Sequence, residues 1–139
     1  MIASTPSTSR TRTATCRCGQ LSATCSGEPV RISVCHCHWC QLRSGSAFAW
    51  QARWPADRVE IAGEWREWVR IGESGSGTRF CFCETCGGTV FYVNDLQPDT
   101  IAVAAGGFAD ADHLAPTISV WEERKRDWVA IVDDGVDRE

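Results

Sequence analysis

Much of the chain alternates between apolar and polar residues, which is typical of strands with one buried face. Leu21, Ala23 and Cys25, for example, are separated by single serine or threonine residues. The same period of two recurs along the chain, usually in runs of five or six residues. The pattern therefore predicts a succession of short strands, at 21–25, 30–34, 47–52, 59–61, 65–71, 78–82, 89–93, 101–105 and 117–121.

Turn-forming residues fall between these runs, which supports their boundaries. The Gly- and Ser-rich segment 72–77 joins two predicted strands and is interpreted as a hairpin loop. Helix is predicted only in short pieces, at 39–44 and 109–114. The predicted fold class is mainly β, with short helical turns.

The 139 residues correspond to about one domain. Residues 1–14 are rich in serine and threonine, lack acids and contain Arg10 and Arg12. A transit-like segment has such a composition, but an amphipathic apolar face is missing, so a flexible N-terminal tail is predicted. The folded domain is expected to span residues 15–136.

The formal net charge of −4 disfavours binding to nucleic acid or to an anionic membrane, because both need a concentrated basic face. No apolar run approaches the roughly 20 residues that a membrane span requires. Nothing in the sequence indicates an oligomeric state.

The nine cysteines are the unusual feature of the composition. Their number is odd, they form C-x-C and C-x-x-C groups, and no signal peptide precedes them, so metal ligation is favoured over a disulfide framework. A reducing compartment, the cytoplasm, is the expected location.

Two cysteine pairs, Cys16 with Cys18 and Cys83 with Cys86, are each followed by glycine, which permits the sharp turn that a metal-binding knuckle needs. Four thiolates in tetrahedral geometry predict a closed structural zinc site. Buried free thiols are the alternative. Cys81 lies on the same strand face as Cys83 and is an alternative ligand, but only Cys83 completes the C-x-x-C-Gly knuckle.

A second group contains Cys35, Cys37 and Cys40, with no fourth cysteine nearby in sequence. Three protein ligands leave one coordination position for substrate, as in catalytic zinc sites. His36 and His38 are alternative ligands, but on an extended segment they would point away from the sulfurs. A cluster that is metal-free or reversibly oxidised is the other alternative.

Several other residues invite a chemical role. Cys25 belongs to the apolar stripe of its strand and is predicted to be a core residue. The tryptophans are expected to fill the core, except that Trp39, inside the second cysteine group, and Trp50, just after it, are candidates to contact a ligand.

From about residue 16 to residue 134 the sequence resembles the glutathione-dependent formaldehyde-activating enzyme family, which includes centromere-protein-V-like proteins. The resemblance rests on motifs that agree in order and spacing, with the extra Cys81 and the stretch 122–124 as departures. These motifs are C-x-C-G at 16–19, Pro29, CHCHWCQLRSGSAF at 35–48, FCETCGGTVFY at 82–92, Pro98-Asp99, Gly106-Gly107, and Trp121, Lys125 and Trp128 near the end.

The resemblance implies a zinc-binding β-tent of several small antiparallel sheets. It implies structural zinc at the first four cysteines and a second, labile zinc at Cys35, Cys37 and Cys40, where the family's activity is placed. That activity joins formaldehyde and glutathione into S-(hydroxymethyl)glutathione and is classed as a carbon–sulfur lyase.

The resulting hypothesis is that a thiol becomes the fourth ligand at the three-cysteine site, loses its proton and attacks the aldehyde. Arg43 is the cation nearest in sequence and is expected to face the carboxylates of glutathione. A non-catalytic zinc-stabilised binding module or glutathione carrier is the first alternative. A nucleic-acid-binding zinc ribbon is the second, and the acidic charge balance disfavours it.

Overall fold

The computed structural model describes residues 10–72, 75–111 and 113–139. Within these ranges strands predominate, and one short α-helix, α1 (His38–Ser44), is accompanied by 3-10 helices at Ala56–Arg58, Ala105–Gly107 and Glu122–Arg124. The strands are β1 (Thr11–Thr15), β2 (Ser22–Ser26), β3 (Arg31–Cys35), β4 (Ala49–Pro55), β5 (Val59–Ala62), β6 (Arg66–Ile71), β7 (Gly77–Phe82), β8 (Thr89–Asn94), β9 (Thr100–Ala104), β10 (Ile118–Val120) and β11 (Asp137–Arg138).

The strands form two sheets. The smaller one has the order β1-β2-β5, and the larger one has the order β11-β10-β3-β4-β9-β8-β7-β6. The mainly β class with short helical turns is confirmed. Most neighbouring strands are antiparallel, but β10 runs parallel to both β3 and β11, because a long connection after β9 returns the chain to the far edge of the sheet.

Each of the predicted strands corresponds to one of the elements β2 to β10, and the predicted helix at 39–44 corresponds to α1. The predicted hairpin loop joins β6 to β7, which pair antiparallel from Arg66↔Phe82 to Ile71↔Gly77; residues 73 and 74 of this loop lie outside the described residues. The period-two pattern was therefore a sufficient guide for this part of the chain.

The prediction that residues 11–14 belong to a flexible tail was wrong, because these residues lie in β1 and pair with β2. The alternation of apolar and polar residues cannot be recognised in the sequence of β1, because the inward-facing residue Arg12 is charged. It is buried because its guanidinium donates to the Gly27 carbonyl and forms an ion pair with Glu28 at 3.2 Å. At the other end, β11 extends the sheet beyond the predicted boundary at 136. Residues 1–9 of the predicted tail lie outside the described residues.

The helix predicted at 109–114 is also absent from the described residues of that segment, which form bends and a turn; residue 112 lies outside them. Phe108 forms an isolated bridge with Ala14, and Leu114 is completely buried in the core. Because both ends of the segment are held by tertiary contacts, too few residues remain between them for a stable helix.

One face of the large sheet packs into the main core, and the other face lines a pocket. Ala52 and Trp54 of β4 point into the main core, which also contains Leu21, Ala23 and Cys25 of the small sheet. Gln51 and Arg53, which alternate with them, line a pocket on the opposite face, together with residues of α1. No helix in the described ranges is long and apolar enough to cross a membrane.

Trp54 offers a test of the core. Its side chain is 0% exposed, donates to the Gly27 carbonyl at 3.0 Å and packs against Phe108. We expect Trp54→Ala to lower the free energy of unfolding by about 3–5 kcal/mol, because it leaves a large cavity. Trp128 is 80% exposed, so Trp128→Ala should change the free energy by less than about 0.5 kcal/mol. Urea unfolding followed by circular dichroism measures both, and equal effects would contradict this assignment of the core.

Candidate metal centres

Four cysteines from two distant turns lie together. Cys16 and Cys18 belong to the connection between β1 and β2, and Cys83 and Cys86 belong to the turn between β7 and β8. Their sulfur atoms all lie within 4.8 Å of one another, and the Cys16–Cys18 and Cys18–Cys83 sulfur distances are both 3.7 Å. The structure therefore brings the first predicted ligand set together.

The turns around this cluster have the geometry that the glycines allow. Gly19 and Gly87 have φ values of +86° and +80°, in the left-handed region that glycine adopts without strain. Backbone N–H groups in and after these turns point at the sulfurs: Leu21 N lies 3.4 Å from Cys16 Sγ, and Thr85 N lies 3.3 Å from Cys83 Sγ. Such donors stabilise the thiolate form that a metal requires.

Gln20 is a residue of this site that the sequence analysis missed. Its Nε2 atom lies 3.1 Å from Cys83 Sγ and also donates to the Glu64 carbonyl, while its Oε1 accepts from Glu64 N. The Gln20 hydrogen bond is the main cause that lowers the pKa of Cys83 to about 6. Its position directly after the C-x-C-Gly knuckle was the available signal.

The donor set and its spacing fit zinc. A tetrahedral zinc ion with Zn–S distances of about 2.3 Å separates its sulfur ligands by about 3.8 Å, close to the 3.7 Å observed here. Four thiolates saturate such an ion, so this cluster can hold a metal but leaves no position for a substrate.

The two cysteines outside the clusters are core residues. Cys81 is buried and its sulfur contacts the Arg79 carbonyl, so it is Cys83 that lies with the other three sulfurs. Burial raises the pKa of Cys81 to about 11 and that of Cys25 to about 12. Both thiols therefore stay protonated at neutral pH, which suits packing and disfavours ligation.

The second cluster forms where β3 ends and α1 begins. Cys35 is the last residue of β3, Cys37 is the N-cap of α1, and Cys40 lies in the first helical turn. Their sulfurs lie within 4.8 Å of one another, and Cys37 Sγ accepts a hydrogen bond from Cys40 N at 3.4 Å. The three predicted ligands thus converge, and this group can also hold a metal.

Two thiols of this cluster, Cys35 and Cys40, differ in pKa because they are hydrogen-bonded to each other. A hydrogen bond from Cys35 is the main cause that lowers the pKa of Cys40 to about 6, and Arg43 contributes to the same effect. The same contact with Cys40, followed by burial, raises the pKa of Cys35. A dication in place of the shared protons would relieve this competition, because it attracts all three thiolates.

Neither His36 nor His38 belongs to a possible metal-binding group among the described residues. His36 is completely buried, and its Nε2 atom lies 2.8 Å from Ser119 Oγ, which donates to the Glu122 carboxylate. Burial lowers the pKa of His36 in spite of that neighbouring carboxylate. His36 thereby attaches the cysteine segment to β10.

The three-cysteine cluster lies in the wall of a pocket of about 250 Å³ between the sheet and α1. Cys40 and Arg43 also border an adjacent apolar cavity of about 430 Å³. Trp39 is 53% exposed in the wall of that second cavity and is available to a ligand. Trp50 instead donates from its ring nitrogen to the Leu114 carbonyl at 2.9 Å and supports the fold.

The first cluster can be tested by a matched pair of variants. We expect Cys83→Ser to lose one metal ion per chain and to unfold at a clearly lower denaturant concentration, since structural zinc contributes on the order of 10 kcal/mol in small peptides. Cys81→Ser changes a thiol two residues earlier, in β7 and outside the cluster, and should keep the metal content of the wild type. Elemental analysis of purified protein distinguishes them; loss of metal in Cys81→Ser alone would reverse the ligand assignment.

Comparisons with known proteins agree with this architecture. No curated protein matches the chain. A crystal structure of a Rhodobacter sphaeroides protein superimposes with a TM-score of 0.55 at 19% identity, covering 70% of this chain and 87% of that one, which supports the fold alone. The family model described as glutathione-dependent formaldehyde-activating enzyme matches residues 11–124. A match over this much of the chain shows that the protein belongs to the glutathione-dependent formaldehyde-activating enzyme family.

Proposed function

We propose that this protein binds zinc at both cysteine clusters and joins a thiol, glutathione or a close relative, to formaldehyde. The product is S-(hydroxymethyl)glutathione, and the reaction class is that of a carbon–sulfur lyase. The observation that supports this most directly is the convergence of Cys35, Cys37 and Cys40 in the wall of an open pocket. Seven reduced thiols need a reducing compartment, so we also propose a cytoplasmic location.

The two clusters have different tasks in this proposal. The four-cysteine cluster is a structural zinc site, because four thiolates complete the coordination of the ion. Cys35, Cys37 and Cys40 would hold the second zinc ion, which would lower the pKa of a thiol bound to it. With three thiolate ligands the ion would be neutralised too far to polarise an aldehyde strongly.

The residues of the pocket support this chemistry. The Arg43 guanidinium lies 5.0 Å from the centre of the Phe80 ring and 5.1 Å from that of Tyr92, and these contacts hold its charge beside Cys40. A cation at this point stabilises both an incoming thiolate and the oxyanion that forms from the aldehyde. Burial raises the pKa of Tyr92 to about 12, so its phenol stays protonated and can donate a hydrogen bond.

The reaction is a simple addition. The thiol proton goes to solvent, and a sulfur lone pair forms the new C–S bond with the carbonyl carbon of formaldehyde. The π electrons of the C=O bond move to oxygen, which takes a proton from water. The pocket contributes orientation and a stabilised thiolate, and the reverse sequence returns both reactants.

A glutathione carrier is the second candidate. Addition of thiols to formaldehyde is easy without help, and a zinc ion with three thiolates is a weak Lewis acid, so the same pocket would also serve to hold glutathione without accelerating the reaction. The two candidates share the ligand and differ in rate.

The test compares Cys37→Ser with His38→Ala, which changes the exposed neighbour of the same cysteine. We expect two zinc ions per chain in wild type and His38→Ala, but one in Cys37→Ser, because the three-cysteine site loses a ligand. Exchange between free glutathione and its formaldehyde adduct, measured by NMR with ¹³C-formaldehyde, should be faster with wild type than with Cys37→Ser.

Each outcome distinguishes the candidates. Binding of glutathione that depends on Cys37, without faster exchange, would favour the carrier. Unchanged zinc content in Cys37→Ser, with no binding of glutathione to either protein, would contradict both.

A further inference from the structure

Strand β6 forms one edge of the large sheet, and its outer side has no partner strand among the described residues. Three of its apolar side chains are about half exposed or more: Trp68 at 56%, Val69 at 48% and Ile71 at 63%. Soluble proteins usually protect such an edge with proline, lysine or a bulge. β6 contains neither proline nor lysine and pairs with β7 without a shift of register, so its outer side is open to a further strand.

The main-chain groups of β6 point alternately toward β7 and away from it. Gly72, which directly follows β6, donates from its N–H to the Ser76 carbonyl at 2.8 Å and so continues the ladder between the two strands. Because an antiparallel pair is bonded through every second residue, the even-numbered residues of β6 bond to β7. The N–H and carbonyl groups of Glu67, Val69 and Ile71 therefore point outward.

A row of aromatic side chains also ends at this edge. Tyr92 of β8, Phe80 of β7 and Trp68 of β6 lie directly opposite one another in the strand register. Their ring centres are 5.1 Å apart between Tyr92 and Phe80, and 6.2 Å apart between Phe80 and Trp68. The next member of the row would come from a strand added beyond β6, and it would have to suit the exposed ring of Trp68.

A second copy of β6, running antiparallel, meets these requirements. Side chains that face each other across such a pair lie on the same face of the sheet, so the possible registers differ by steps of two residues. In one of them Val69 lies opposite its own counterpart, Glu67 lies opposite Ile71, and Trp68 lies opposite Arg70. The outward groups of Glu67, Val69 and Ile71 would then form about six hydrogen bonds, two for each pair.

Charge favours this register over its two neighbours. A slip of two residues in one direction places Arg66 opposite Arg70, and a slip in the other direction places Arg70 opposite its own counterpart; like charges in direct opposition are destabilising. The register centred on Val69 has no such pair, and it places each Arg70 guanidinium opposite the Trp68 ring of the other copy, which is attractive. Arg70 already makes one contact of this kind, 4.5 Å from the centre of the Trp39 ring.

We propose that β6 pairs with β6 of a second copy of this chain, so that two eight-stranded sheets join into one across a two-fold axis at Val69. The interface is isologous, since the same residues contribute from both sides. Trp68 and Arg70 also border the apolar cavity of about 430 Å³ beside Cys40, so the pairing brings the cavities of the two copies onto one face of the joined sheet. The paired strands are short, and we therefore expect a reversible dimer.

Sedimentation equilibrium of the full chain measures this association. Wild type should show a monomer–dimer equilibrium that depends on protein concentration. Val69→Lys should weaken dimerisation at least about tenfold, because it places two ammonium groups opposite one another at the axis. Leu96→Lys changes another exposed apolar side chain, in a turn outside β6, and should not change the dissociation constant. A wild type that stays monomeric up to its solubility limit, or a dimer that Val69→Lys leaves unchanged, would overturn the proposal.

A pair of oppositely charged variants tests the register. Val69→Glu should also weaken self-association, but a mixture of Val69→Lys and Val69→Glu should restore dimerisation, since opposite charges then meet at the axis. Because Val69 is exposed, both variants should keep the circular dichroism spectrum of the wild type. Stronger self-association of Val69→Lys alone would place Val69 opposite Glu67, in a slipped register, and would overturn the proposed pairing.

Hydrogen exchange of backbone amides, measured on the wild type by NMR, identifies what covers the edge. The outward amides of Val69 and Ile71 should exchange more slowly as protein concentration rises, because only the dimer protects them. Protection that is independent of concentration would show that a segment of the same chain covers β6. Unprotected amides at every concentration would leave the edge to a partner of another sequence. Either of these two results would overturn self-pairing.

Discussion

The pleat of the eight-stranded sheet is the constraint on which the rest of the structure depends. Along β3 and β4 the side chains alternate between faces, so Val34, Ala52 and Trp54 enter the core while Gln51 and Arg53 line the pocket. A shift of the register by one residue would exchange these two sets. The core and the binding pocket are therefore consequences of the same strand pairing, and neither can change without the other.

The two cysteine clusters are assembled over different distances, and this suits different tasks. The four-cysteine cluster joins the connection after β1, in the small sheet, to the turn after β7, in the large sheet, so a metal there would link the two sheets directly. The three-cysteine cluster forms within six consecutive residues at a junction between a strand and a helix. It depends less on the global fold, and its sulfurs remain accessible from the pocket.

The pocket face gathers positive charge from several strands and from α1, which is unfavourable for folding. Contacts with aromatic rings hold Arg43, Arg53 and Arg70 in place, but such contacts neutralise none of their charge. The opposite face of the sheet compensates with a continuous apolar core around Trp54. Charge that is unfavourable for folding and useful for binding is a common property of functional sites.

The sequence by itself determined strands β2 to β10, the helix at the second cluster and the grouping of seven cysteines, because alternation, knuckle glycines and short cysteine spacings are local properties. It failed at β1, where the inward residue is Arg12, neutralised by a distant Glu28, and at 109–114, where tertiary contacts prevent a helix. Of the arginines in the pocket, only Arg43 was expected, since it follows the cysteines directly. The tertiary structure alone decided that Arg31, Arg53 and Arg70 join it, because strand order and register depend on pairings between residues far apart in the chain, which no local pattern encodes.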